Sequence, residues 1–304
     1  MYRIKVIYNP QANHGMITRV VDGLRAKSRT LGEAVWSKTE FRGQAVSLAR
    51  QAAADGYQRI VAIGGDGTLH EIVNGLMQVP AQHRPQLGIV PLGSGNDFVI
   101  GVGVTANPAQ ALQHAFDNTA VRVIDIGTVR INGGEVQYWC NALGIGFDAA
   151  VNLQSRRIKW LRGQAMYFVA AVRTIIANYD APQLTMESNG RSHQQRVQML
   201  TIGNGTREGG GFITTPEARV DDGLLDYAMF QPMSRAMMLR LIPEVMRGTH
   251  GRFRQVRMGR VKSLSLRSDR PLLIHADGEV LADHEDNVRS VEVGIVPATL
   301  TLIS

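Results

Sequence analysis

Two short stretches carry the residue types that phosphate chemistry needs. The first is Ile60-Val-Ala-Ile-Gly-Gly-Asp-Gly-Thr68. The apolar, β-rich run from Ile60 to Ile63 suits one buried strand. Gly64, Gly65 and Gly67 then allow close approaches that a Cβ would block. Leu69, Ile72, Val73 and Leu76 follow at helical spacing, and Pro80 limits the helix. A strand, a glycine turn with one acid, and a helix start together suit a phosphate. Backbone N–H groups and the helix N-terminus face the anion, and Asp66 can hold its metal. A plain βα turn fits the same residues. The second stretch, Pro91-Leu-Gly-Ser-Gly-Asn-Asp97, repeats the logic after another apolar strand. Ser94 and Asn96 offer hydrogen bonds there, and Asp97 a carboxylate. In a parallel sheet both turns fall at the carboxyl ends of strands, where such folds bind ligands. That coincidence weighs against the plain turn.

The elements around these turns alternate. Arg3–Tyr8 reads as a strand ended by Asn9-Pro10, and Ile17–Ser28 as an amphipathic helix. Ala45 to Ala53 reads as a second helix stopped by Asp55-Gly56, Leu87–Val90 as a strand, Pro108–Phe116 as a helix and Val121–Ile126 as a strand. Such alternation predicts a mostly parallel sheet covered by helices. After Gly127 the pattern changes. Short strand-like runs are separated by Asn132-Gly133-Gly134, Asn189-Gly190, Gly203-Asn-Gly205, Gly209–Gly211 and Asp221-Asp222-Gly223. These are the turn signals of an antiparallel sandwich. Helical insertions are expected at Leu153–Ala177 and Ser234–Arg247, and a domain boundary near 126–129.

The chain has 304 residues, 44% of them apolar and 19% charged, enough for two domains or one large one. Its net charge of +7 favours anionic partners without choosing among nucleotides, nucleic acid and acidic membrane. Cys140 is the only cysteine, which excludes an intramolecular disulfide and suits a reducing cytoplasm. Its apolar run, Tyr138–Leu143, reads as a strand with a buried inert thiol. The N-terminus lacks the apolar stretch of a signal peptide, and the segment Ala165–Ala177, interrupted by Arg173, is too short to span a bilayer. A soluble cytoplasmic protein is the expectation.

Gly64-Gly-Asp-Gly-Thr68 with Glu71 and Asn74-Gly75, and Pro91-Leu-Gly-Ser-Gly-Asn-Asp-Phe98, resemble the diacylglycerol kinase catalytic-domain family, in its bacterial soluble lipid kinase branch. The resemblance continues through Asp125-Ile-Gly127, Gly144-Ile-Gly-Phe-Asp-Ala149, Gly203-Asn-Gly205, Gly209-Gly-Gly-Phe212, Asp221-Asp-Gly-Leu-Leu225 and Asp277-Gly-Glu279. It covers nearly the whole chain in order. It implies an α/β fold class: a nucleotide-binding domain like that of 6-phosphofructokinase and NAD kinase at 1–127, with a return strand at about 297–304. An antiparallel β-sandwich lipid domain follows at 128–296, with ATP and lipid meeting in a cleft.

The resemblance also implies roles. Gly64, Gly65, Asp66, Gly67 and Thr68 would lie along the ATP phosphates, with Gly93, Ser94 and Asn96 beside the nucleotide and Asn9 and Thr39 near it. Ser94 stands where threonine is commoner. Asp66, Asp97 and Asp125 would hold Mg²⁺, partly through water, which suits an ion that keeps several waters. Glu279 would be the general base that a lipid hydroxyl needs; read alone, Asp277-Gly-Glu279 reads first as a hairpin tip. The Asp222 carboxylate and backbone carbonyls near Arg219 and Leu224 match a structural Mg²⁺ site, with Asp221 adjacent, and a solvated turn fits them as well. The loop Asn9-Pro-Gln-Ala-Asn-His-Gly15 is longer than the family's, and His14 and His70 receive no role.

The implied activity is ATP-dependent phosphorylation of a neutral lipid, diacylglycerol foremost, with sphingoid bases, ceramide and monoacylglycerol as alternatives. NAD kinase shares the Gly-Gly-Asp-Gly loop, but its later Gly-Ser-Thr-Ala-type segment is absent here. A non-catalytic nucleotide- or lipid-binding regulator is the other class, although Asp66, Asp97, Asp125 and Glu279 are all retained. No nucleic-acid motif appears. Gln154–Arg162 holds four cations among Ile158, Trp160 and Leu161, and Arg235–Arg270 holds ten basic residues against two acidic ones. They read either as solvated faces or as peripheral contact with an anionic membrane. Homodimerisation is left open.

Overall fold

The computed structural model describes residues 2–12, 17–93, 95–117, 120–177, 181–188 and 190–303. Contacts divide it into two compact units, Met1–Ile126 with Ala298–Ser304, and Gly127–Pro297.

In the first unit, parallel strands run in the order β2 (Ala34–Lys38), β1 (Ile4–Tyr8), β3 (Arg59–Gly64) and β4 (Gln86–Pro91). Strand β3 is buried at every position, as a central strand of a covered parallel sheet should be. Strand β2 is new relative to the sequence reading. It lies at an edge and none of its five residues is fully buried, so it has neither an apolar run nor a clean alternation. The helices are α1 (Thr18–Leu31), α2 (Gln44–Ala54), α3 (Asp66–Met77), the short α4 (Asp97–Gly101) and α5 (Pro108–Asp117). Val6, Val21, Leu24, Val61, Ile63, Val90, Leu112 and Phe116 form part of one core cluster. Arg59 is a buried cation, 1% exposed. Its Nη1 donates to the carbonyls of Ala115 and Phe116, at 3.1 and 2.8 Å, in the last turn of α5. A cation belongs there, where carbonyls are left over and the helix dipole is negative.

Strand β5 (Val121–Ile131) runs five residues past its expected end, into the Asn132-Gly133 turn. The last strand, β16 (Ser290–Ile303), also crosses from one unit to the other in sequence. Within the first unit its Leu302 pairs in parallel with Leu87 of β4. Ala298 takes a left-handed φ of 47°, and its N–H donates to Asp125 Oδ1 at 2.7 Å.

The second unit packs two antiparallel layers. One contains β8 (Gln183–Ser188), β9 (Arg191–Arg196), β13 (Ser263–Ser268) and the first half of β16, with β6 (Val136–Trp139) paired to β5. The other runs β12 (Val256–Val261), β11 (Leu225–Phe230), β10 (Met199–Gly203), β7 (Ala142–Gly146), β14 (Ile274–Ala276) and β15 (Glu279–Ala282). Alternation fixes the inner faces: Leu264 and Leu266 of β13 are buried while Ser263, Ser265 and Arg267 are exposed. They share a core with Leu143, Ile145, Leu200, Ile202 and Ile274 of the second layer. The expected helix over Leu153–Ala177 is two helices, α6 (Phe147–Ser155) and α7 (Gly163–Ala177), broken by the basic segment between them. Helix α8 (Arg235–Met246) starts at Ser234, whose Oγ accepts the Met237 N–H at 3.3 Å. The run Tyr138–Leu143 is not one strand either: Cys140 and Asn141 sit at a bend between β6 and β7, with Cys140 buried as expected. Buried His250 stacks on Phe230 with ring centroids 5.5 Å apart, its Nε2 3.0 Å from the Thr214 carbonyl. Burial holds this imidazole below its ordinary pKa, against hydrogen bonds that favour the charged form.

Candidate functional sites

In the first unit the two glycine turns stand back to back. Register pairs Gly64 of β3 with Pro91 of β4, so both chains leave the sheet side by side. A Cβ on Gly93 would lie 2.4 Å from the Gly65 Cα, and one on Gly65 would lie 2.9 Å from the Gly93 Cα. Only two glycines permit that approach. The second turn holds itself: Asn96 Oδ1 accepts the Gly93 N–H at 3.0 Å, and its Nδ2 donates to the Gly93 carbonyl at 2.9 Å. Asp66 Oδ2 then accepts the Asn96 N–H at 3.0 Å and fastens one turn to the other. A Cβ on Gly95 would meet Asp66 Oδ2 at 3.0 Å and Asp97 Oδ2 at 3.7 Å, so two carboxylates converge on one bare backbone position.

Helix α3 begins at Asp66 with Gly65 as its N-cap, so Gly67 and Thr68 belong to its first turn. Asp97 is 5% exposed at the start of α4, and Asp125, 2% exposed, commits Oδ1 to Ala298. Asp66, Asp97 and Asp125 do not bring three carboxylate atoms within 4.8 Å of one another. A cation here would meet oxygen donors, which suits Mg²⁺ and its retained waters. The donor set therefore fits that ion.

The remaining sequence-predicted residues fall as follows. Asn9 Oδ1 accepts the Gln11 N–H at 2.9 Å in the turn after β1, and the Thr39 N–H donates to the Tyr8 carbonyl at 2.9 Å. Ser94 and His14 lie outside the described residues. Glu71 serves structure: its two oxygens accept the N–H groups of Gly43 and Ala45, at 2.8 and 3.1 Å, at the start of α2. Asn74 is turned back on the preceding turn of its own helix, donating to the His70 carbonyl at 2.9 Å.

In the second unit, Asp277 and Gly278 form the two-residue turn between β14 and β15, with φ of 50° and 82°. This is the left-handed pair that a tight hairpin requires. The Asp277 carboxylate accepts three backbone N–H groups, from Cys140 at 2.9 Å, Asn141 at 2.8 Å and Ala142 at 3.2 Å. It closes the bend between β6 and β7. Glu279, next along, is partly exposed and forms an ion pair with Arg156 Nη2 at 3.2 Å; the same Nη2 donates to the Gly278 carbonyl at 3.0 Å. Sequence reasoning assigned Arg156 only to a basic segment. An arginine just past the end of α6 has no spacing signal that ties it to a turn more than 120 residues away.

Asp222 Oδ1 accepts the Leu224 N–H at 3.1 Å, and Arg219 pairs with Asp221 at 3.5 Å. Among the described residues, side chains that could hold a metal ion cluster elsewhere, at Asp148, Glu208 and His275. None of the three was singled out by type and spacing. Burial pushes the Asp148 carboxyl up, but the His275 charge and the hydrogen bond from the Thr201 hydroxyl, 2.7 Å away, outweigh it and hold the group below its ordinary value.

Of the ten basic residues in Arg235–Arg270, Arg252 pairs with Glu244 at 2.7 Å, Arg260 with Asp226 at 3.2 Å, and Arg270 with Asp269 at 3.3 Å. The apolar side chains of Trp160, Phe168, Ile176 and Leu239 are exposed, at 70, 43, 66 and 46%. Among the described residues no helix is long and apolar enough to cross a membrane.

Residues 3–129 match the diacylglycerol kinase catalytic domain, and residues 141–304 match the YegS C-terminal NAD kinase beta sandwich-like domain. The chain belongs to the diacylglycerol kinase and YegS-like lipid kinase family. It is 28% identical over 306 residues to the diacylglycerol kinase of Mycobacterium tuberculosis, covering 99% of this chain and 94% of that one. It is 39% identical over 185 residues to a "Probable lipid kinase YegS-like" of Chromohalobacter salexigens, covering 60% of this chain and 57% of that one. A diacylglycerol kinase crystal structure from Bacillus anthracis superposes with a TM-score of 0.73 at 20% identity, covering 99% of this chain and 96% of that one, which carries the fold.

Proposed function

We propose that this chain is an ATP-dependent lipid kinase that moves the γ-phosphoryl group to a hydroxyl of a neutral lipid, with diacylglycerol as the acceptor. The observation that carries the reading is the corner where Asp66 and Asp97 converge on Gly95 beside two glycine turns in backbone contact. Phosphoryl transfer asks mainly for positioning and charge neutralisation. The N–H groups at the α3 N-terminus and the bare glycines receive the phosphates, while the hydrogen bond from Asn96 fixes the Asp66 carboxylate. Asp66, Asp97 and Asp125 would hold Mg²⁺, which neutralises the charge that builds on the transferring group. Glu279 takes the proton of the acceptor hydroxyl, and Arg156 orients that carboxylate. Asp222, with the carbonyls of Arg219 and Leu224, is proposed as a second, structural Mg²⁺ site.

Exposed Trp160, Phe168, Ile176 and Leu239, interspersed with the arginines of α7, α8 and the segment before α7, support a peripheral seat on an anionic bilayer. Binding there should weaken steeply with salt; salt-insensitive liposome binding would remove the idea.

The test is transfer of label from γ-³²P-ATP with Mg²⁺ to a panel of diacylglycerol, monoacylglycerol, ceramide and sphingoid base in mixed micelles, beside NAD. Label in phosphatidic acid is expected. Label in NADP alone would overturn the reading, and transfer to no acceptor would favour a non-catalytic binding protein. Glu279→Gln should slow transfer by about 10²–10⁴-fold with the fold intact. Near-normal turnover in that variant would take the base role from Glu279.

A further inference from the structure

Thr201, Gly144 and His275 form one row across three neighbouring strands, β10, β7 and β14. The middle position has no side chain, and the gap is filled from two sides. A Cβ on Gly144 would stand 2.2 Å from His275 Nε2 and 2.4 Å from Asp148 Oδ2, so only glycine lets both atoms enter. Asp148 comes from the first turn of α6, His275 from β14, and Glu208 from the turn that bridges to Phe212. Three distant segments thus aim ligand atoms at one point, all within 4.8 Å of one another. The Thr201 hydroxyl donates to Asp148 Oδ2 at 2.7 Å and fixes that carboxylate.

The imidazole is the informative member. His275 is 4% exposed, and its Nδ1 has no hydrogen-bond partner. Its Nε2 stands 3.5 Å from Asp148 Oδ2 and 3.8 Å from a Glu208 oxygen. Both distances exceed the usual 2.7–3.2 Å of an N–H···O bond. They approach the edge of a coordination tetrahedron with metal–ligand bonds near 2.1 Å, which is about 3.4 Å. One nitrogen and two carboxylate donors disfavour the hard ions Mg²⁺ and Ca²⁺ and suit a first-row transition ion.

The geometry points to a divalent transition-metal site, of the Zn²⁺ class, formed by Asp148, Glu208 and His275. It uses none of the residues proposed for Mg²⁺ in phosphoryl transfer and does not depend on them. Its ion ties β14, the strand that leads into the Asp277-Gly278 turn, to α6 and to the 208–212 turn.

The chelator-stripped full chain, held in excess Mg²⁺ to occupy oxygen-only sites, is titrated with Zn²⁺ by calorimetry and with Co²⁺ by visible absorption. One equivalent is expected, with the intense Co²⁺ bands of a low-coordinate site and a Zn²⁺-dependent rise in melting temperature. His275→Gln and Glu208→Gln should each weaken Zn²⁺ binding by more than about 100-fold, beyond what loss of a mere supporting group costs. Asp66→Asn and Glu279→Gln should bind as the parent does. If His275→Gln does not fold, Glu208→Gln, at the turn, carries the same test. No stoichiometric Zn²⁺ or Co²⁺ binding, or binding unchanged in Glu208→Gln, would reduce the cluster to a buried ion pair and overturn the assignment.

Discussion

The Asp66 turn and the Asp277 turn look alike in sequence, each an acid beside glycine at the end of a strand, yet their carboxylates are held differently. Asp277 is used up internally: three N–H groups from one bend converge on it. Asp66 takes the Asn96 N–H and shares with Asp97 the bare surface of Gly95. Three backbone N–H groups from one bend mark Asp277 as an acid that holds the fold. Glu71, which takes two N–H groups at the start of α2, stands with Asp277 despite its place just after the first glycine turn.

The sharpest way to break this contrast is to remove each charge in turn. Asp66→Asn should cost about 10²–10³-fold in phosphoryl transfer, the scale of one lost electrostatic stabiliser, while thermal unfolding stays close to the parent. A large fall in melting temperature would show that Asp66 too is structural. Asp277→Ala should instead destabilise by about 3 kcal/mol or more, because three buried N–H groups lose their acceptor. Urea unfolding checks it, and an unchanged midpoint would undo the contrast. Glu71→Ala should cost about 1 kcal/mol, as for a lost helix cap, with little change in transfer.

The smallest expected effect is a slope with pH. Buried His250 has a folded pKa below its unfolded value near 6.5, so the folded state binds its proton less readily. Its contribution is therefore complete above that value and is lost as pH falls from about 6.5 through the lower folded pKa. His250→Gln should flatten the decline in melting temperature between pH 7 and pH 5, an interval spanning the ordinary histidine pKa. An identical decline in that variant would assign the slope to other groups.

What could be read from the sequence was whatever had a period or a turn residue. The apolar runs before Gly64 and Gly93 became β3 and β4, and the spacing of Leu69, Ile72 and Leu76 became the buried face of α3. The change from helical alternation to closely spaced turns at Gly127 announced the antiparallel layers. Strand β2 went unseen because an edge strand with half-exposed faces has no pattern to show. The break between α6 and α7 was hidden by Ile158, Trp160 and Leu161, whose apolar spacing continued a helix that the chain leaves at Arg156. Contacts between distant segments left no trace at all. Arg156 with Glu279, and Asp148 with Glu208 and His275, depend on strand register, which no local spacing encodes.

The last strand has a consequence for how the chain is made. Leu302 lies against Leu87, and the Ala298 N–H fills one oxygen of Asp125. The parallel sheet of the first unit therefore stays open on the ribosome until residues 298–303 have been synthesised, after the whole sandwich. Closing it joins positions 215 apart in sequence, a slow and entropically costly step. During translation the flank of β4 that Leu302 covers is the vulnerable surface, so termination before residue 298 should leave the first unit unfinished.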